Sequence, residues 1–203
     1  MDLAVPIIGI LRGIPGDFFG DLMDAAFGAG LQALEVTLNT DGAEAMIAAQ
    51  RHRVPENKWL GMGTVCNIQE ARRAIDAGAM FLVAPNCDPD VIAYATAANI
   101  PVVAGALTPT EVYNAWSAGA AMVKVFPCGP MGPGYIRDLL GPYDRIKLVA
   151  VGGVNADNVN DFFAAGAHAV GVGASLFGKA ALAQKRPEAI GVNIRRFLET
   201  ISY

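Results

Sequence analysis

Three charged residues interrupt or end short segments that are otherwise apolar and rich in β-branched side chains. Lys124 stands in Met122-Val123-Lys124-Val125-Phe126, Glu35 in Ala33-Leu34-Glu35-Val36-Thr37, and Arg12 follows Ile8-Gly9-Ile10-Leu11. A lysine amine withdrawn from water loses the solvation of its ammonium form, so its pKa falls. A partly neutral amine is the species that attacks a ketone to give an imine. A carboxylate facing the same cavity supplies the proton carrier that such chemistry needs. Each residue alone has a plainer reading. A lysine at a strand end snorkels to solvent, and Glu35 makes a structural ion pair. Finding both at strand ends of one fold favours a nucleophile and a base in one cavity.

The elements that would position them follow a repeated phrase, a helix closing on Ala-Gly or a close variant and then a short apolar run. It occurs at Ala29-Gly30, Ala77-Gly78, Ala98-Asn99, Ala118-Gly119 and Ala165-Gly166. Glycine, or Asn99, suits the left-handed position just past a helix end. The runs after it suit strands buried on both faces. Strands are thus expected at Pro6–Leu11, Ala33–Val36, Trp59–Gly63, Phe81–Val83, Pro101–Val103, Met122–Val125, Lys147–Val151 and Ala169–Val172. Helices are expected near 17–29, 41–51, 67–77, 88–98, 108–118, 133–141, 155–165 and 186–200, with Asp17, Asp41, Asn67, Asp88, Thr108 and Asn155 as N-caps. Pro89 and Pro109 suit first helical positions. Eight βα units with no dividing linker predict one α/β domain over residues 1–203, a minimal (β/α)₈ TIM barrel. The rival, a doubly wound open sheet, lacks a G-x-G-x-x-G after the first strand.

In such a barrel the chemistry sits at the C-terminal ends of the strands. Alternation puts Met122, Lys124 and Phe126 on one face, which is expected to point inward. Gly152-Gly153 after strand 7 and Gly171-Val172-Gly173 after strand 8 fall where barrels often hold phosphate on bare backbone N–H groups. Tight turns alone would also explain them. His52 lies between two arginines and His168 precedes strand 8, so neither belongs to a metal set, and no metal or cofactor is expected. Cys66, Cys87 and Cys128 form no CxxC pair, and Cys66 and Cys128 read as packing residues.

The bulk composition narrows the class. The chain has 203 residues, 53% of them hydrophobic and 17% charged, with a formal net charge of −4. No basic footprint for nucleic acid is present. No uncharged apolar run is long enough to span a membrane, and the N-terminus lacks the basic region of a signal peptide. With widely spaced cysteines, a cytoplasmic location is expected.

The chain resembles the 2-keto-3-deoxy-6-phosphogluconate/6-phosphogalactonate aldolase family of class I aldolases. The resemblance covers nearly the whole chain. It rests on Ile8-Gly9-Ile10-Leu11-Arg12-Gly13-Ile14, Leu34-Glu35-Val36-Thr37-Leu38-Asn39-Thr40, Gly61-Met62-Gly63-Thr64-Val65, Ala84-Pro85-Asn86, Val123-Lys124-Val125-Phe126-Pro127 and Val151-Gly152-Gly153-Val154. It implies a homotrimeric barrel that cleaves a phosphorylated 2-keto-3-deoxy acid to pyruvate and glyceraldehyde 3-phosphate. Lys124 would form the Schiff base and Glu35 would handle protons. Arg12, Thr37, Asn39, Thr64, Pro85, Phe126 and Val151 would contact substrate, with Arg12 near its carboxylate and Thr64 and Pro85 at the pyruvate end. Gly152, Gly153, Gly173, Ala174 and Ser175 would cradle the phosphate. Asn39 in place of an arginine, and Val151 in place of a threonine, look more like the phosphogalactonate branch. Ala174 stands where a serine is usual and removes one hydroxyl from the cradle. The alternatives are another phosphate-binding barrel, an epimerase or synthase, and a non-catalytic barrel that keeps only the pocket.

Overall fold

The computed structural model describes residue 1 and residues 3–201. The strands are β1 (Ile7–Leu11), β2 (Ala33–Thr37), β3 (Trp59–Gly63), β4 (Leu82–Val83), β5 (Val102–Ala106), β6 (Met122–Val125), β7 (Leu148–Val151) and β8 (Ala169–Val172). They pair in parallel and in sequence order, and β8 closes on β1. The chain is the expected TIM barrel.

The interleaved helices are α1 (Gly16–Gly28), α2 (Ala43–Gln50), α3 (Ile68–Asp76), α4 (Pro89–Ala97), α5 (Pro109–Ser117), α6 (Gly132–Leu140) and α7 (Val159–Ala164). Three more, α8 (Ala174–Phe177), α9 (Lys179–Ala183) and α10 (Pro187–Glu199), follow β8. Asn67 and Asp88 cap α3 and α4 through their side chains, and Thr108 caps α5 in a full capping box with Glu111. Each satisfies amide groups that a helix start leaves without partners.

Three cap expectations are corrected. Pro15 precedes α1, so Asp17 lies inside the first turn, where its carboxylate pairs with Lys185 at 2.8 Å. Gly42, at φ 75°, enters α2 in place of Asp41, because the chain must turn through a left-handed conformation there. Asn158 rather than Asn155 precedes α7; Asn155 instead accepts from Asp157 N at 2.8 Å, building the turn before the helix. Helices α8 and α9 escaped the sequence reading, because runs of four and five residues carry too little periodicity to register.

Alternation divides each strand between two cores. Inward residues Ile8, Ala33, Phe81, Val83, Val103, Met122, Val149, Val151 and Ala169 fill the barrel. Outward residues such as Leu11, Leu34, Leu60, Val123 and Leu148 pack beneath the helices. Inward glycines make the interior uneven. A Cβ at Gly61 would meet the Phe81 ring at 2.5 Å, so this bare position lets a large aromatic plug the barrel. Above that plug the inward positions become polar.

Candidate active site

Register sets Glu35 on one side of the barrel and Lys124 on the other. Ile10 pairs with Glu35 and Glu35 with Gly61, while Gly105 pairs with Lys124 and Lys124 with Val149. Glu35 and Lys124 are 1% and 8% exposed. They open into a cleft of about 470 Å³. In strand order its rim runs through Arg12 after β1, Glu35 on β2, Thr64 after β3, Pro85 after β4, Lys124 and Phe126 at β6, Val151 to Gly153 at β7 and Gly173 to Ser175 at β8.

Glu35 has little room, and one of its oxygens has no hydrogen-bond partner. A Cβ at Gly63 would lie 2.6 Å from its carboxylate carbon, so a side chain there would displace it. Its Oε2 is a buried atom without a hydrogen-bond partner. Burial pushes the Glu35 carboxyl up to about 7, against the opposing pull of Lys124 and Arg12. Burial likewise lowers the Lys124 ammonium from its ordinary value, helped by Arg12, while Glu35 and Cys66 draw it back up. Desolvation is the leading cause for both and moves both towards neutrality. Lys124 Nζ lies 4.9 Å from the centre of the Phe126 ring. That ring closes one side of the amine while remaining 40% exposed itself. A buried amine near a carboxyl that exchanges its proton close to neutral pH is the pairing that imine chemistry requires.

Thr64 holds φ 60°, a left-handed conformation rare for a β-branched residue. Such strain persists where surrounding structure over-determines it, and it is common at ligand sites. Gly152 and Gly153 also carry positive φ, 92° and 82°. Asn158 Nδ2 donates to the Gly153 carbonyl at 3.0 Å and fixes that turn. Ser175 Oγ donates to the Val154 carbonyl at 3.2 Å.

Of the residues singled out from sequence, the cleft gathers Arg12, Glu35, Thr64, Pro85, Lys124, Phe126, Val151, Gly152, Gly153, Gly173, Ala174 and Ser175. Thr37 and Asn39 lie outside its lining. Thr37 is buried one inward position nearer the barrel mouth than Glu35, and its hydroxyl and that of Thr40 lie 3.0 Å apart. Thr40 in turn accepts from Gly13 N at 2.9 Å, bracing the loop that carries Arg12. Asn39 is exposed on the turn after β2. The cleft adds residues that the sequence reading did not assign to it: Ile10, Val154, Asn155 and Lys179. Asn155 and Lys179 had a legible signal, a polar or basic side chain shortly after a glycine turn at the barrel mouth.

Residues 5–192 match the family described as KDPG and KHG aldolase. A probable 2-dehydro-3-deoxy-6-phosphogalactonate aldolase of Rhizobium meliloti (strain 1021) is 33% identical over 174 residues, 85% of this chain and 82% of its own length. The 2-dehydro-3-deoxy-6-phosphogalactonate aldolase of Escherichia coli (strain K12) is 31% identical over 199 residues, 97% of each chain. A solved structure described as native KDPGal superposes with a TM-score of 0.87 at 30% identity, covering 98% of both chains. The match spans the barrel and the cleft at its mouth, and this chain belongs to the KDPG and KHG aldolase family.

Proposed function

We propose that this enzyme cleaves a 2-keto-3-deoxy-6-phospho sugar acid of the 6-phosphogalactonate type to pyruvate and glyceraldehyde 3-phosphate through a Schiff base on Lys124. The observation that carries the reading is the buried Lys124 amine sharing one cleft with the Glu35 carboxylate, whose buried Oε2 has no hydrogen-bond partner. The neutral amine adds to the C2 ketone, and loss of water gives an iminium. The Glu35 carboxylate, directly or through water, takes the C4 hydroxyl proton. The C4 oxygen becomes the aldehyde carbonyl, the C3–C4 bond breaks, and its electron pair moves into the iminium to leave an enamine. Proton return to C3 and addition of water release pyruvate and restore the amine. A well-placed acid–base group contributes roughly 10²–10⁴-fold in rate. The iminium serves as the electron sink, so the scheme calls for no cofactor.

Arg12 holds the substrate carboxylate as a fork of donors, with Thr64, Pro85 and Phe126 around the pyruvate end. The glycine turns of β7 and β8 receive the phosphate. The phosphogalactonate preference is supported by Val151 on the cleft wall, by Asn39 on the β2 turn, and by the names of two relatives aligned over most of the chain. A cytoplasmic homotrimer is part of the reading, supported by the free cysteines and by exposed Tyr113 and Met131. Pyruvate release from the two C4 epimers, measured side by side, tests the assignment. Faster release from the galactonate-type epimer is expected; release from neither would overturn it.

A further inference from the structure

Lys179 belongs to none of the motifs that carry the family resemblance. It begins α9, just beyond the β8 turn, and lines the cleft together with Gly152, Gly153, Gly173 and Ala174. It also lines an adjoining cavity of about 380 Å³, which shares Arg12 and Ala174 with the first. Among the described residues no carboxylate pairs with Lys179, whereas nearby Lys185 is held on Asp17 at 2.8 Å.

The charges of the cleft can be matched to those of the proposed substrate. The lining carries one carboxylate, Glu35, and three basic side chains, Arg12, Lys124 and Lys179. Burial moves Glu35 and Lys124 towards their neutral forms. Arg12 and Lys179 are the two basic side chains of the lining outside that pair. A phosphorylated keto acid brings two anionic groups, a carboxylate and a phosphate of roughly −1.5 to −2 charge at neutral pH. The β8 turn is short of side-chain donors, because Ala174 has no hydroxyl and Ser175 Oγ is turned to the Val154 carbonyl. Backbone N–H groups alone would leave most of that charge unneutralised.

We propose that Lys179 is the cation that recognises the phosphate and makes the enzyme select phosphorylated over unphosphorylated 2-keto-3-deoxy acids. The assignment rests on the aldolase reading for the two anionic ends of the substrate. Lysine suits the task as a flexible point charge that needs no fixed planar partner.

The test compares kcat/KM for a 2-keto-3-deoxy-6-phospho acid with that for the same acid lacking phosphate. Lys179→Gln should lower the ratio of the two at least about tenfold, or about 1.4 kcal/mol, through KM of the phosphorylated substrate. Lys179→Arg should restore most of it. Inorganic phosphate, titrated by calorimetry, should bind Lys179→Gln about tenfold more weakly than the parent at the same ionic strength. A ratio within twofold of the parent's would overturn the inference. Borohydride reduction with pyruvate separates this failure from that of the aldolase reading, because pyruvate has no phosphate. Labelling of both proteins with an unchanged ratio would remove Lys179 alone. Weakened phosphate binding without labelling of either would sink the aldolase reading and keep Lys179 as an anion ligand.

Discussion

The carboxylate of Glu35 occupies the space that a side chain on Gly63 would need, with the Cβ position only 2.6 Å from its carboxylate carbon. The two residues sit on neighbouring strands, and Gly63 pairs with Thr37, two residues beyond Glu35 on the same inward face. The bare glycine thus fixes where the Glu35 carboxylate stands. Gly63→Ala should push Glu35 out of register with the amine. We expect turnover to fall at least tenfold while pyruvate still forms an adduct on Lys124. Overpacking of this kind costs about 1–3 kcal/mol of stability, readable by urea denaturation. Unchanged turnover would show that Glu35 needs no such placement.

Removing the Glu35 charge separates its two effects on Lys124. The carboxylate raises the Lys124 pKa, against the burial that lowers it. Glu35→Gln should therefore leave imine formation at neutral pH as fast as before or faster, while turnover falls about 10²-fold or more. Stopped-flow of pyruvate binding, set beside steady-state pyruvate release, gives both numbers. Equal loss in both would assign Glu35 to imine formation instead.

Stability should depend on pH through the same carboxyl. Its pKa is raised from 4.5 in the open chain to about 7 in the folded protein. Between those values the folded state holds more protons than the unfolded one, so stability falls as pH rises. Below the lower value this contribution is fully present, and above the upper value its loss is complete. Glu35→Gln should flatten the change in urea midpoint across that window. An identical pH dependence in the variant would contradict the shift.

Thr37 acts on a loop of the cleft rather than in the cleft lining. Its hydroxyl, that of Thr40 and the Gly13 amide form a chain that steadies the loop after Arg12. Thr37→Val breaks that chain inside the fold and should cost about 1 kcal/mol of stability. It should also raise KM for the phosphorylated keto acid severalfold with little change in kcat, because Arg12 is loosened while the reacting groups stay in place. A fall in kcat alone would place Thr37 in the chemistry.

The barrel was legible in the sequence because each βα unit repeats one phrase, and Gly30, Gly78, Asn99, Gly119 and Gly166 all take positive φ. Lys124 and Glu35 were legible because a charge in a doubly buried strand has few places to go. The positions of Thr37 and Asn39 were not, since a motif reports neighbours in sequence and not depth. Thr37 points inward like Glu35, yet its hydroxyl is consumed by Thr40. Lys179 had a trace in sequence, a basic residue shortly after the β8 glycine turn, but only closure of β8 onto β1 brings it into one cleft with Arg12.

Trapping on Lys124 tests the central claim most directly. The protein is incubated with pyruvate, reduced with borohydride, digested and mapped by mass spectrometry. The account predicts one stable adduct, on the peptide carrying Lys124, and none on Lys124→Ala. Equal labelling of Lys124→Ala, or no labelling of the parent protein, would contradict it.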